Sequence, residues 1–225
     1  PLRDYLLKDH HYSADDYCLE VGSGTGVISA EFIASHPCKM VGIDFDFERC
    51  AISTRNYQNL LEVNGDAYRL PFANNTFACI FCHYFLLWIK NPRSVMEEIF
   101  RVLKPGGKFF AFAEPDYNAR IDHPLPLQEL GKLQTDSLVK QGINALAGRE
   151  LPSLAVSSGF DNCQIGVSGY EQKTGVLPDW WSSEWEVLHD DLTPYLSQDA
   201  ILDFQHIDHD CWLNGTRILW VPTFY

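Results

Sequence analysis

The sequence predicts an α/β fold built on a doubly wound, mostly parallel sheet. Three observations carry that prediction. Short apolar runs alternate with helical patterns through the first two thirds of the chain, a glycine-rich turn joins the first run to the first helix, and no internal repeat or low-complexity tract breaks the order. Strand-helix-strand repetition implies a parallel sheet with helices on both faces, and ligands of such sheets bind beyond the carboxyl ends of the strands where strand order reverses.

Buried strands are expected at 17–22, 38–44, 60–64, 77–83 and 108–114, with helices at 27–35, 47–56 and 93–103. The third helix is the best marked. Asn91 suits a cap, Pro92 the first helical position, Val95, Ile99 and Val102 form an apolar stripe, and Lys104-Pro-Gly-Gly107 ends it. Past Pro115 the pattern changes to helices at 125–141 and 148–157, a strand at 162–170 and a last strand at 217–224. Between these last two strands, residues 174–215 hold nine acidic residues, no Lys or Arg, and four of the six tryptophans. Trp181, Trp185, Leu188 and Leu192 form one helical stripe, and Leu196, Ala200, Phe204, Ile207 and Cys211 a second. Two amphipathic helices packed on the body, or a substrate lid, both fit.

The chain has 225 residues, enough for one domain with an insertion and a substantial core. We divide it into a core over 1–170 with a binding half at 17–114, an acidic Trp-rich helical insertion at 171–215, and the last strand at 216–225. Thirty Asp and Glu against seventeen Lys and Arg leave a net charge of −13, which opposes binding to nucleic acid or an anionic membrane surface. No apolar run of spanning length and no signal segment is present, so the sequence reads as cytoplasmic. It opens at Pro1 and closes on the apolar Val221-Pro-Thr-Phe-Tyr225, so one or both ends read as trimmed. Seven dispersed cysteines fit reduced, core-filling thiols, and in Cys79-Ile-Phe-Cys82 the two thiols fall on opposite faces of a strand.

Leu19-Glu-Val-Gly-Ser-Gly-Thr-Gly26 is the motif that carries chemistry. Its glycines let the backbone turn tightly and let a ligand approach without Cβ obstruction. Asp44, at the end of the second strand, can accept hydrogen bonds from both hydroxyls of a ribose. Asp66, at the end of the third, can accept one from an adenine amino group. Residues 17–114 resemble the core of the class I S-adenosylmethionine-dependent methyltransferases. Gly65-Asp-Ala-Tyr-Arg-Leu-Pro-Phe72, followed by Phe77 and Arg101-Val-Leu-Lys-Pro-Gly-Gly107, is similar to the type 11 branch that includes quinone-biosynthesis and other small-molecule enzymes. The resemblance implies a Rossmann-like sheet of seven strands with an antiparallel last strand. It also implies methyl transfer from S-adenosyl-L-methionine to a small organic acceptor, with S-adenosyl-L-homocysteine as product.

By the same resemblance Glu20, Gly22, Ser23 and Gly24 hold the methionine part of the cofactor. Asp44 and Phe45 meet the ribose, Asp66 and Ala67 the adenine, and His83 faces the methionine or the acceptor. Ala78 stands where that family commonly has Asp, and Pro1–Tyr17 is a short remnant of the helix that covers the cofactor, with Tyr12 able to close over it. A nicotinamide-dependent oxidoreductase fits less well. G-x-G-x-x-G would need glycine where Val27 stands, and no Tyr-x-x-x-Lys pair occurs. A non-catalytic S-adenosylmethionine-binding protein is the other alternative.

Methyl transfer from a sulfonium demands alignment and exclusion of water more than fixed catalytic groups. A base is needed only for a nucleophile that must first lose a proton, and His83 is the candidate. Tyr12, Glu114, Tyr117 and Arg149 are the candidate acceptor-pocket residues. Glu114 and Asp116 are equally suited to capping or to pairing with Arg120, and Arg149 to pairing with Glu150. His206, His209 and Asp210 resemble a metal cluster, but their place on the polar side of the second stripe favours a solvated face, and no metal is expected.

Overall fold

The computed structural model describes residues 2–169 and 171–225. Five parallel strands form the central sheet: β1 (Tyr17–Val21), β2 (Lys39–Asp44), β3 (Leu60–Asn64), β4 (Phe77–Cys82) and β5 (Leu103–Ala111), in the order β3-β2-β1-β4-β5. The chain steps outward from β1 through β2 to β3 and then crosses back to β4. That reversal leaves a crevice at the carboxyl ends of β1 and β4.

Alternation along the strands sorts the core into two layers. Leu19, Val21, Val41, Ile43, Ile80 and Cys82 face one side, where α4 (Pro92–Val102) presents Val95, Met96, Ile99 and Val102, and α6 (Ala147–Ser157) presents Leu151 and Ala155. Each of these α4 side chains is buried, contributing about 2 kcal/mol apiece. Cys18, Met40, Cys79 and Phe81 face the other side, covered by Leu7 of α1 (Leu2–Leu7) and Phe32 of α2 (Val27–Ser35). Cys79 and Cys82 therefore lie on opposite faces, and every cysteine is a free thiol. Asp46 caps α3 (Phe47–Asn56) by accepting from the Glu48 and Arg49 N–H groups, and Asn91 caps α4 at the Ser94 N–H.

Among the described residues the sheet has five strands rather than the expected seven, and no antiparallel last strand joins it. Beyond β5 the chain turns out of the sheet into two short segments, β6 (Glu114–Pro115) and β7 (Ile121–His123). The final segment pairs with these. Pro222, which has no N–H to give a ladder, splits the expected 217–224 strand into β8 (Ile218–Trp220), antiparallel to β7, and β9 (Thr223–Phe224), antiparallel to β6. The strand expected at 162–170 is reduced to one antiparallel bridge, Val167 to Phe224, and Tyr170 lies outside the described residues.

The acidic segment forms two helices, α7 (Trp181–Leu192) and α8 (Gln198–Leu213), packed on α5 (Leu125–Gln141). Leu127, Leu130, Trp185, Leu188, Leu192 and Ile201 are the buried residues of this third core. The first stripe is as expected. The second is rotated: Ile207 is exposed and Asp208 is buried in its place.

Asp208 is buried because it is fully engaged. One oxygen accepts from both indole N–H groups, Trp181 at 2.7 Å and Trp185 at 2.9 Å, and the other from Arg217 Nε at 2.6 Å. Arg217, equally buried, also donates to Asp122 Oδ1 at 2.8 Å, and Asp122 pairs in turn with Arg120. This chain of charges bolts α7 and α8 to β7 and β8. No described helix is long and apolar enough to cross a membrane.

Breaking a buried pair by removing one partner leaves an uncompensated charge, at a cost of about 3–5 kcal/mol. Asp208→Ala is therefore expected to lower the melting temperature by on the order of 10 °C in a calorimetric scan. A shift of under 2 °C would show that the bolt carries no weight.

Candidate functional site

The glycine turn sits at the head of the crevice. Gly22, Gly24 and Gly26 all have positive φ, at 75°, 54° and 79°, a conformation costly for residues with a Cβ. The Gly24 N–H donates to Asp44 Oδ2 at 2.9 Å, and the Asp46 N–H donates to Oδ1 at the same distance. Asp44 thus ties the turn to the end of β2 while each oxygen keeps lone-pair capacity for a further donor. Phe45 beside it is exposed. Asp66 accepts from the Tyr68 N–H, which leads into a single 3₁₀ turn at Ala67–Arg69 on the same sheet edge.

Glu20 is buried beneath the turn, taking a hydrogen bond from Ser29 Oγ. Burial, reinforced by the nearby Glu62 carboxylate, pushes its pKa up to about 8, so it holds a proton at neutral pH. His83 follows β4 and is half-buried. Burial and the Arg3 guanidinium hold its pKa below the ordinary histidine value, so the ring is neutral at pH 7.

The candidate acceptor residues divide. Glu114 is fully buried and points inward: Oε1 accepts from the Phe85 and Leu86 N–H groups at 3.1 and 3.2 Å, and Oε2 from the Leu87 N–H at 3.3 Å. Burial nevertheless pushes it up to about 7. Its role is to shape the segment after β4. Arg149 pairs with Asp116, not Glu150, which instead accepts from Asn144. Arg120 goes to Asp122 and Gln134 rather than to Glu114 or Asp116. Tyr117 stands beside Leu87, Leu138 and Ile143. Tyr12 does not reach the crevice. Its ring packs on Phe32 and His36 and lies among Cys18, Cys38 and Cys79, near the amino ends of the strands.

His209 lies beside Asp210 at 3.4 Å on the exposed face of α8. Among the described residues no group of His, Cys, Asp and Glu is arranged to hold a metal ion.

Four residues escaped sequence reasoning. Glu62 accepts from Ser23 Oγ at 2.9 Å and Ser53 Oγ at 2.7 Å, clamping the glycine turn to α3. It has room only because residue 42 is glycine: a Cβ there would lie 2.4 Å from the Glu62 carboxylate. Phe85 covers the turn so closely that a Cβ on Gly22 would lie 2.4 Å from its ring. Tyr84, between His83 and Phe85, holds φ 50°, a strained value for a non-glycine residue costing on the order of 1 kcal/mol. Arg3 pairs with Glu31 through one nitrogen, while its Nη1 is buried without a hydrogen-bond partner, on the side of Glu20 and His83.

Comparison with known proteins settles the family. Residues 19–111 match the model of a methyltransferase domain of type 11. The demethylmenaquinone methyltransferase of Oceanobacillus iheyensis is 33% identical over 185 residues, 72% of this chain and 77% of that protein. The chain belongs to the type 11 class I S-adenosylmethionine-dependent methyltransferases. The sterol 4-C-methyltransferase of Caenorhabditis elegans is 33% identical over 117 residues, 49% of this chain. That match spans only 35% of the nematode enzyme, so the chain covers well under half of some of the curated methyltransferases it resembles. Among solved structures, the Haemonchus contortus phosphoethanolamine N-methyltransferase 2 bound to phosphomonomethylethanolamine and S-adenosylhomocysteine superposes with a TM-score of 0.60 at 17% identity. It covers 97% of this chain and 50% of its own, and shares the methyltransferase fold.

Glu114→Ala in this methyltransferase orphans three N–H groups. Denaturant titration is expected to give a loss of about 3 kcal/mol or more, with Glu114→Gln, which keeps an acceptor oxygen, losing clearly less. Equal losses would mean that the carboxylate acts by charge rather than as an acceptor.

Proposed function

We propose that this protein transfers a methyl group from S-adenosyl-L-methionine to a small organic acceptor, leaving S-adenosyl-L-homocysteine. The observation that carries the reading is the glycine turn held to Asp44 through the Gly24 N–H, with a protonated carboxyl and an unpartnered guanidinium nitrogen beneath it.

The residues fit the cofactor. Gly22, Ser23 and Gly24 offer a backbone cradle. Asp44, with lone-pair capacity on each oxygen, and Phe45 suit the ribose, and Asp66 with Ala67 suits the adenine. Glu20 suits the amino group of the methionine part, and the free Nη1 of Arg3 suits its carboxylate. When bound, the cofactor supplies a methyl group on a positively charged sulfur, already activated for in-line displacement. Alignment and exclusion of water then fall to the protein. Phe85 packs over the turn and excludes water from that side. His83, neutral at pH 7, takes the proton of an acceptor hydroxyl or acidic carbon where the acceptor has one to lose.

Calorimetry with S-adenosylmethionine, S-adenosylhomocysteine and NAD tests the reading. The first two are expected to bind and NAD is not, and Asp44→Ala is expected to abolish binding. NAD binding alone would sink it.

A second measurement addresses Glu20. Its carboxyl is protonated at pH 7 and ionises against a bound ammonium, so S-adenosylhomocysteine binding is expected to release about one proton at pH 7, seen as buffer-dependent heat. The release fades as pH rises past about 8, where the free protein is already ionised. Glu20→Gln removes it. Heat that is independent of the buffer in the native protein would refute this assignment.

A further inference from the structure

Two rungs join α5 to α7. Gln134 Nε2 donates to Glu184 Oε1 at 3.5 Å, and Gln141 Nε2 donates to Asp191 Oδ1 at 2.7 Å. Both steps are seven residues, two helical turns, so the helices run side by side in the same sense with the rungs roughly 10 Å apart. Glu184, Leu188 and Asp191 share one face of α7.

The part-buried Glu184 and the buried Asp191 differ from the buried, ion-paired acids of this region. Asp122 and Asp208 are matched by Arg120 and Arg217. Glu184 and Asp191 have no ion-pair partner among the described residues, and each is met only by a neutral amide. Asp191 is 7% exposed, and its Oδ2 is buried with no hydrogen-bond partner at all. An uncompensated buried carboxylate oxygen costs several kcal/mol unless something supplies a donor.

Two phenols of the core domain, the part-exposed Tyr84 and Tyr117, lie close enough to feel the charge of these acids. Tyr84 leaves β4 in its strained conformation beside His83, ring centroids 5.0 Å apart, and Tyr117 packs against Leu138 and Ile143 at the end of α5. Both respond to the acids of α7. Burial pushes Tyr84 up, with Glu184 adding to the shift. Burial, Tyr84, Glu184 and Asp191 push Tyr117 up to about 12, against the opposing pull of Arg120. Both phenols therefore stay neutral and offer electron-rich ring faces.

Carboxylates without cations, an unfilled acceptor oxygen and neutral aromatic rings together make the chemistry that recognises a positively charged nitrogen. We propose that the seam between α5 and α7, with Tyr84 and Tyr117, is the acceptor subsite and that it takes an ammonium group. This rests on the methyltransferase reading, which places the acceptor beside His83. It excludes acceptors whose anchor is a carboxylate or a phosphate.

The test is calorimetry on the full chain saturated with S-adenosylhomocysteine. Cationic probes are each paired with a neutral counterpart of similar shape: choline with 3,3-dimethylbutan-1-ol, and benzylamine with benzyl alcohol. At least one cation is expected to bind ten-fold or more tightly than its counterpart. Asp191→Asn combined with Glu184→Gln is expected to erase that preference with the S-adenosylhomocysteine affinity unchanged, since neither residue belongs to the proposed cofactor site. No cation preferred over its counterpart, or a preference that survives the double substitution in a folded protein, overturns the proposal. If S-adenosylhomocysteine itself fails to bind, the cofactor reading fails instead, and the same probe pairs on the chain alone still decide the charge preference.

Discussion

The Glu114 carboxylate, at the point where the chain leaves the sheet, takes the N–H groups of three consecutive residues, Phe85, Leu86 and Leu87. Most of the crevice depends on that grip. It fixes the segment after β4, and this segment sets His83 toward Arg3, forces Tyr84 into a left-handed backbone and lays Phe85 on Gly22. Burial works against the charge while the three donors favour it, which keeps the carboxyl poised near neutrality. One side chain on β6 thereby shapes the segment that carries His83, Tyr84 and Phe85, the residues proposed to line the cofactor and acceptor sites.

A second, independent fastening holds the helical insertion. Asp208 and Arg217 place α8 on the β7 and β8 ladder, and two tryptophan indoles close on the same carboxylate. Replacing such a network by apolar residues of the same volume is often neutral for stability, so its value lies in fixing where α7 sits. The position of α7 in turn sets Glu184 and Asp191 against the core. The acidic character of residues 174–215 is therefore not one surface property. Asp208 is consumed internally, Glu184 and Asp191 line a seam, and Glu186, Asp190, Asp199, Asp203 and Asp210 face solvent.

How far the sequence could be read follows from the range of the interactions. The bounds of α2, α3 and α5 agree with periodicity because caps and stripes are local signals. The glycine turn and Asp44 were legible because a strand end next to a tight turn constrains residue types over a short stretch. Glu62 was not, because it meets Ser23 across 39 residues and its need for a glycine at position 42 lies in a neighbouring strand. The burial of Asp208 was not legible, because an acid in a helix normally marks the solvent side and only Arg217, beyond the helix, reverses that. The strand expected near Ile165 and Val167 failed for a different reason: the alternation is present, but both side chains remain exposed without a sheet face to cover.

The outer side of β5 has a consequence of another kind. β5 is an edge of the central sheet, bordered by a groove of about 760 Å³ lined by Phe100, Phe109, Phe160 and Ile165 among others. An open edge beside apolar side chains is a template on which a foreign strand can add, the first step toward aggregation. The amino half of β5 is a poor template. Pro105 has no N–H, Gly106 at φ 78° breaks the pleat, and Lys104 and Lys108 place charge on either side. The strand expected from 108 thus begins at Leu103, directly after α4, and Lys104, Pro105, Gly106 and Lys108 in its amino half act as gatekeepers that make the outer edge a poor partner for a foreign strand.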